Sequence, residues 1–187
     1  DSADTLIGSD GIDTAIMTDA IGVDVNLATN QIERFYAGGG DDRIYGSSNS
    51  EMLSGGRGID WLEGGAGNDT YAFNRGDGQD VIADYFGTTE TITKWRWETF
   101  AESDGEGGTD YERRRVRYSE KVDTRSDAGR DVLTLGSGIA ITDLILRMDG
   151  DDLVIGIRDA ASPNTSFDGL TDTVRITNWN GWRDRIE

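Results

Sequence analysis

The chain has no cysteine and no histidine, a single proline, and no apolar run near the ~20 residues that span a bilayer. Without cysteine there is no disulfide framework, and without either residue there is no zinc cluster, H-E-x-x-H metalloprotease motif, Ser-His-Asp or Cys-His nucleophile system, or haem ligation by His or Cys. Basic residues are scarce too. Lys plus Arg number 18 against 36 Asp plus Glu, a formal net charge of −18, and a field of that sign repels the phosphates of nucleic acid. The opening Asp1-Ser2-Ala3-Asp4 lacks the positive and apolar stretches of a secretory signal peptide. Hydrophobic residues make up only 35% of the 187, enough for one core or two small ones.

What the chain does contain is Gly and Asp in equal number, 26 of each against 10 Glu. Those are the residues of tight turns and of oxygen-ligand metal loops. They are ordered by a nine-residue period. Gly55-Gly56-Arg57-Gly58-Ile59-Asp60-Trp61-Leu62-Glu63 runs directly into Gly64-Gly65-Ala66-Gly67-Asn68-Asp69-Thr70-Tyr71-Ala72, both of the form G-G-x-G-x-D-x-U-x with U apolar. Gly46 to Ser54 is a degraded copy with Ser47 and Asn49 in place of glycines, and Ala37 to Tyr45 is another. Asp42, Glu51, Asp60 and Asp69 thus recur with one period. Phe73 to Ile82 continues it with two extra residues, so that Asp80 and Ile82 take the acidic and apolar places. Gly8 to Ala15 is a further copy containing Asp13, set apart by residues 17–36, where Val23, Val25 and Leu27 alternate as in a strand.

The pattern has a physical reading. A six-residue turn that reverses the chain needs backbone angles open mainly to Gly, with Asn next best. Three residues of strand follow and only the middle one points inward, so Ile44, Leu53, Leu62 and Tyr71 are expected to stack as a thin core. Two nonapeptides make one coil, bringing turns 18 residues apart into register: Asp42 against Asp60, Glu51 against Asp69, and Asp60 against the Asp77 to Asp80 turn. Carboxylates stacked this closely repel unless a cation lies between them. Hard oxygen donors in a flexible loop suit calcium better than magnesium or a transition metal.

Residues 8–84 resemble the RTX, or haemolysin-type calcium-binding, repeats of secreted bacterial proteins. The resemblance implies an all-β fold, a right-handed parallel β-roll (a β-solenoid) of nonapeptide repeats binding several calcium ions between its turns. It implies metal-site residues Gly38, Gly40 and Asp42; Gly46 and Glu51; Gly55, Gly56, Gly58 and Asp60; Gly64, Gly65, Gly67 and Asp69; Asp77 and Asp80; and Asp13 in the isolated copy. The stretches 131–139, 150–155 and 172–179 resemble the region that often follows such repeats. Leu144 to Met148, Leu153 to Ile157 and 172–178 read as capping strands, with Asp149, Asp151 and Asp152 in a hairpin turn rather than a metal site. The division expected is a β-roll over 1–87, an inserted β-hairpin arm over 88–130 and a capping region over 131–187. By the same resemblance the chain is a piece of a large toxin or adhesin, exported by type I secretion machinery and folding on calcium outside the cell, secreted or held at the cell surface.

The arm departs from the family pattern. Thr91 to Phe100 and Tyr111 to Tyr118 are strand-like, and they concentrate Lys94, Arg96 and the 113–117 arginines beside two tryptophans. Trp95, Trp97 and Arg115 are therefore the candidate contacts for a surface ligand, a glycan, peptide or protein, because Trp and Arg anchor interfaces and stack on sugars. Packing of the arm against its own chain is the competing expectation. Acids spread at a nine-residue period leave no isolated carboxylate pair of glycosidase type, so no catalytic residue is assigned and the chain is read as non-enzymatic.

Overall fold

The computed structural model describes residues 8–18, 20–83, 87–103, 109–125 and 130–179, with backbone alone for 87–103 and 109–125. By its contacts the chain forms two units, Asp1–Phe86 with Ser126–Glu187, and Gly87–Arg125. There is no α-helix among the described residues and none long and apolar enough to cross a membrane.

The first unit is a parallel β-roll. Short strands alternate between two facing sheets: β1 (Thr14–Ile16), β2 (Asp24–Asn26), β3 (Arg34–Tyr36), β4 (Arg43–Ser47), β5 (Met52–Ser54), β6 (Trp61–Gly65), β7 (Thr70–Phe73) and β8 (Gln79–Ile82). One sheet has the order β1-β3-β5-β7-β11, where β11 is Val132–Leu135. The other runs β12-β13-β14-β8-β6-β4-β2, with β12 at Leu144–Asp149, β13 at Asp152–Ile157 and β14 at Asp172–Ile176. Ile44 pairs with Leu62 and Leu53 with Tyr71, the 18-residue offset of a two-repeat coil. Three-residue strands leave one inward side chain each, and those side chains form two facing columns. Ala15, Phe35, Leu53 and Tyr71 make one, and Ile44, Leu62, Ile82 and Ile176 the other, none more than 6% exposed.

The segment 17–36 does not interrupt the roll. β2 and β3 lie in it and pair in parallel with β4 and with β1 and β5, so the solenoid runs unbroken from β1. This coil turns without the glycine signature. Leu27–Thr29 forms a 3₁₀ turn in which the Asn26 side chain accepts the Ala28 N–H, and Gln31 takes the left-handed angle (φ 52) that glycine supplies elsewhere.

The last three strands close the second sheet. β14 joins β8 in parallel, then β13 and β12 follow antiparallel. The β12–β13 turn carries Gly150 at φ 65. Two of its three acids are held by Arg175, which binds Asp149 at 2.7 Å and Asp152 at 2.9 Å, and this pairing lowers the Asp149 carboxyl below its ordinary pKa.

The second unit is one long antiparallel hairpin, β9 (Gly87–Ser103) with β10 (Thr109–Arg125). Trp95 stands opposite Arg117 and Trp97 opposite Arg115. Residues in register share a face. The face of Thr91, Thr93, Trp95, Trp97, Thr99 and Ala101 therefore also carries Arg113, Arg115, Arg117 and Lys121, with no acid among its positions between 91–101 and 111–121. The side chains of Trp95, Trp97 and Arg115 lie outside the described residues.

Candidate metal centre

The acids of the repeats form two ladders, one along each edge of the roll. In each, one carboxylate oxygen accepts the backbone N–H of the acid one coil earlier. Asp42 donates to Asp60 Oδ1 at 2.8 Å, and Asp60 to Asp80 Oδ1 at 3.2 Å. On the other edge Glu51 donates to Asp69 Oδ1 at 2.7 Å. The pairing expected from the period is the pairing found, and Asp80 rather than Asp77 takes the place opposite Asp60. Asp77 instead closes its own turn, accepting the Asn74 N–H at 2.6 Å.

The second carboxylate oxygens are the notable atoms. Oδ2 of Asp42, of Asp60 and of Asp69 is buried with no hydrogen-bond partner, in residues that are at most 1% exposed. No ion pair described among these residues reaches them; Arg75, Arg147 and Arg175 pair instead with acids of the C-terminal strands and turns. An ionised carboxylate buried without a partner is costly, and it is relieved either by a proton or by a cation. Burial, reinforced by neighbouring acids, raises Asp60 to about 6, Asp69 to about 7 and Asp80 to about 8, and burial raises Asp42 and Asp77 as well.

The glycines build the space around these oxygens. Those at the second and fourth places, such as Gly56 (φ 88) and Gly58 (φ 150), take left-handed angles as expected. The first-place glycines do not, and their reason is steric. A Cβ on Gly55 would lie 2.1 Å from Asp60 Oδ2, and one on Gly64 would lie 2.3 Å from Asp69 Oδ2. The sixth residue's carboxylate folds back over the first residue of its own turn and occupies the space a side chain there would take.

Among the described residues no three acidic side chains converge on one point. A bound ion would draw most of its oxygens from turn carbonyls, with one or two carboxylates, a donor set that suits calcium.

The 46–51 turn differs. Glu51 reaches back to the N–H (3.2 Å) and hydroxyl of its own Ser47, so the extra methylene and the serine satisfy internally what the Asp turns leave open. Asp13 is half-buried; its Oδ2 accepts the Ser9 N–H at 2.7 Å and its own N–H donates to Glu33 Oε2 at 2.9 Å. Sequence reading missed Glu33, which occupies a ladder place 20 residues from Asp13 in a coil without the Gly motif. It also missed Asp131, whose Oδ1 accepts the Asp69 N–H at 2.8 Å across 62 residues.

Residues 28–58 and 45–82 match the family described as RTX calcium-binding nonapeptide repeat (4 copies). This stretch of the chain is therefore an RTX β-roll, and its cation is calcium. The match begins inside the coil that lacks the glycine signature. No curated protein matches the chain.

The raised carboxyl pKa values give a pH test. An acid whose folded pKa exceeds its unfolded value favours the fold while protonated, so its contribution is present below about pH 4 and lost as pH rises through 6, 7 and 8 for Asp60, Asp69 and Asp80. Calcium needs the same groups ionised. Acidification from pH 8 to 5 is thus expected to raise the melting temperature of the chelated protein and to shrink the increment that calcium adds. An increment that grew on acidification, read by thermal melts with and without chelator, would contradict the assignment.

Proposed function

We propose that the chain is a calcium-folded, non-catalytic β-roll module of an exported bacterial protein, compacting when it meets millimolar calcium outside the cell. The observation that carries this is the row of buried, unpartnered Oδ2 atoms on Asp42, Asp60 and Asp69 inside glycine turns of RTX type. The ions are held by carbonyls of the turns containing Gly38 and Gly40, Gly55, Gly56 and Gly58, and Gly64, Gly65 and Gly67, together with Asp42, Asp60, Asp69 and Asp80. Asp77 shapes the last of these turns. The turns of Gly46 with Glu51 and of Asp13 are the weaker sites. A charge of −18 opposes compaction in calcium-poor cytoplasm, which suits passage through type I secretion machinery as an open chain. Calorimetric titration is expected to give at least three calcium ions per chain; absence of binding heat at millimolar calcium would overturn the reading.

A second reading, recognition by a bacterial adhesin, is supported by the hairpin register. Eight of the chain's 18 basic residues fall in 87–125, and five of them, Arg113, Arg115, Arg117, Lys121 and Arg125, share the Trp95 and Trp97 face. That combination suits an acidic glycan, stacked on Trp and paired with Arg. On a glycan array, Trp95→Ala and Trp97→Ala are each expected to weaken binding about ten-fold, roughly 1.4 kcal/mol. No bound glycan, or no effect of either substitution, rejects it.

A further inference from the structure

Asp131 repeats, bond for bond, the position of the sixth residue of a nonapeptide turn. Asp69 donates its N–H to Asp131 Oδ1 at 2.8 Å, as Glu51 does to Asp69. Val132 donates to the Asp69 carbonyl at 2.8 Å, matching Thr70 on Glu51 and Trp61 on Asp42. Arg130 donates to the Asn68 side chain at 2.9 Å, as Asn68 itself does to Ser50. β11 then continues beside β7 in register, Val132 against Thr70. Asp131 is 1% exposed, and the turn beneath it ends in the fully buried Asp69, whose Oδ2 has no partner.

We propose that Asp131 is a ligand of a split calcium site, shared with the Gly64–Asp69 turn, in which the acid is delivered 62 residues after its ladder neighbour instead of 18. The inference rests on the calcium reading of the repeats and extends it to a residue outside any nonapeptide motif. The repeat ladder on this edge does not end at Asp69. The chain leaves the roll after β8, passes through the 87–125 hairpin, and takes up the ladder again at Asp131. The ion closes that excursion as a short turn would otherwise do, and closing a long loop costs only slowly more with its length.

A simple hydrogen-bonding cap predicts something different. Asp131→Asn keeps the Oδ1 acceptor for the Asp69 N–H and removes the charge, so a cap tolerates it and a ligand does not. Calorimetry on the full chain is expected to show one calcium ion fewer for Asp131→Asn than for wild type, while Asp143→Asn, in an ion pair with Arg75, keeps the full count. Asp131→Glu, which keeps the charge but adds the methylene that weakens the Glu51 turn, should keep the ion at lower affinity; its losing the ion as fully as Asp131→Asn would count against the charge as the deciding feature. A wild-type ion count and affinity in Asp131→Asn overturns the proposal. If that variant is unfolded where wild type is folded, titration continues: recovery at higher calcium supports the proposal, and failure at every level overturns it. Wild type that binds no calcium defeats the calcium reading itself, a separate outcome.

Discussion

Stripped of calcium, the protein is expected to melt about 15–30 °C lower than in millimolar calcium, and to lose far-UV β signal at temperatures where the loaded form is folded. An ion at a hundred times its dissociation constant adds about 2.7 kcal/mol. Three such ions add about 8 kcal/mol, comparable with the ~5–15 kcal/mol total stability of an ordinary domain. For a chain of this size each kcal/mol moves the midpoint by about 2–4 °C. The core cannot make up the loss, because three-residue strands bury one inward side chain per half-coil, and the ladder acids enter the interior with them. Calcium therefore converts the least favourable burial in the molecule into its main cross-link between coils. Magnesium, which gives up water reluctantly and demands a tighter octahedron, should recover only a small part of the shift. Melting that is indifferent to chelator at matched ionic strength would sink the proposal, since screening of surface charge is then equal in both samples.

The strict nine-residue period made the inward side chains and the pairing of Asp42 with Asp60 and of Glu51 with Asp69 legible in the sequence, because a solenoid turns sequence spacing directly into distance. Three features escaped for reasons that are themselves physical. The coil at 17–36 was hidden because a 3₁₀ turn and the left-handed Gln31 do there what glycines do elsewhere, so the period survives in the backbone while the residues that signal it are gone. Glu33 was lost with that coil. Asp131 was out of reach because an excursion can be spliced into a solenoid turn without disturbing the coils around it, and spacing then stops reporting proximity. The reason for the first-place glycines was also only half visible. Conformational freedom explains Gly56 and Gly58, but Gly55 and Gly64 have ordinary angles and are small because a carboxylate occupies the space of their missing side chain.

That distinction makes Gly64→Ala a severe substitution at a backbone angle any residue can adopt. The added methyl would meet Asp69 Oδ2 at 2.3 Å and the Tyr71 hydroxyl at 2.4 Å. Neither can withdraw easily. Asp69 Oδ1 is tied to the Glu51 N–H at 2.7 Å, and Tyr71 is fully buried with its hydroxyl accepting the Gly64 N–H at 2.8 Å. Relief requires moving the carboxylate out of its turn or the ring out of the core. Overpacking of this kind costs about 2–3 kcal/mol, or roughly 4–12 °C in the melting midpoint at 2–4 °C per kcal/mol, and the displaced Asp69 should cost one calcium ion as well. Gly138→Ala is the contrast. It has no atom within 4 Å of a new Cβ and no left-handed angle, so it should be silent or stabilise by about 0.5 kcal/mol through a less flexible unfolded chain. The clash has two arms, and they separate experimentally. Tyr71→Phe removes the hydroxyl contact but leaves the carboxylate contact, so in the Gly64→Ala background it should recover part of the melting temperature without restoring the ion, a non-additive pair in a double-mutant cycle. Equal melting of Gly64→Ala and Gly138→Ala, or an unchanged calcium count in Gly64→Ala, would mean that the first-place glycine is not kept small by the metal-site carboxylate.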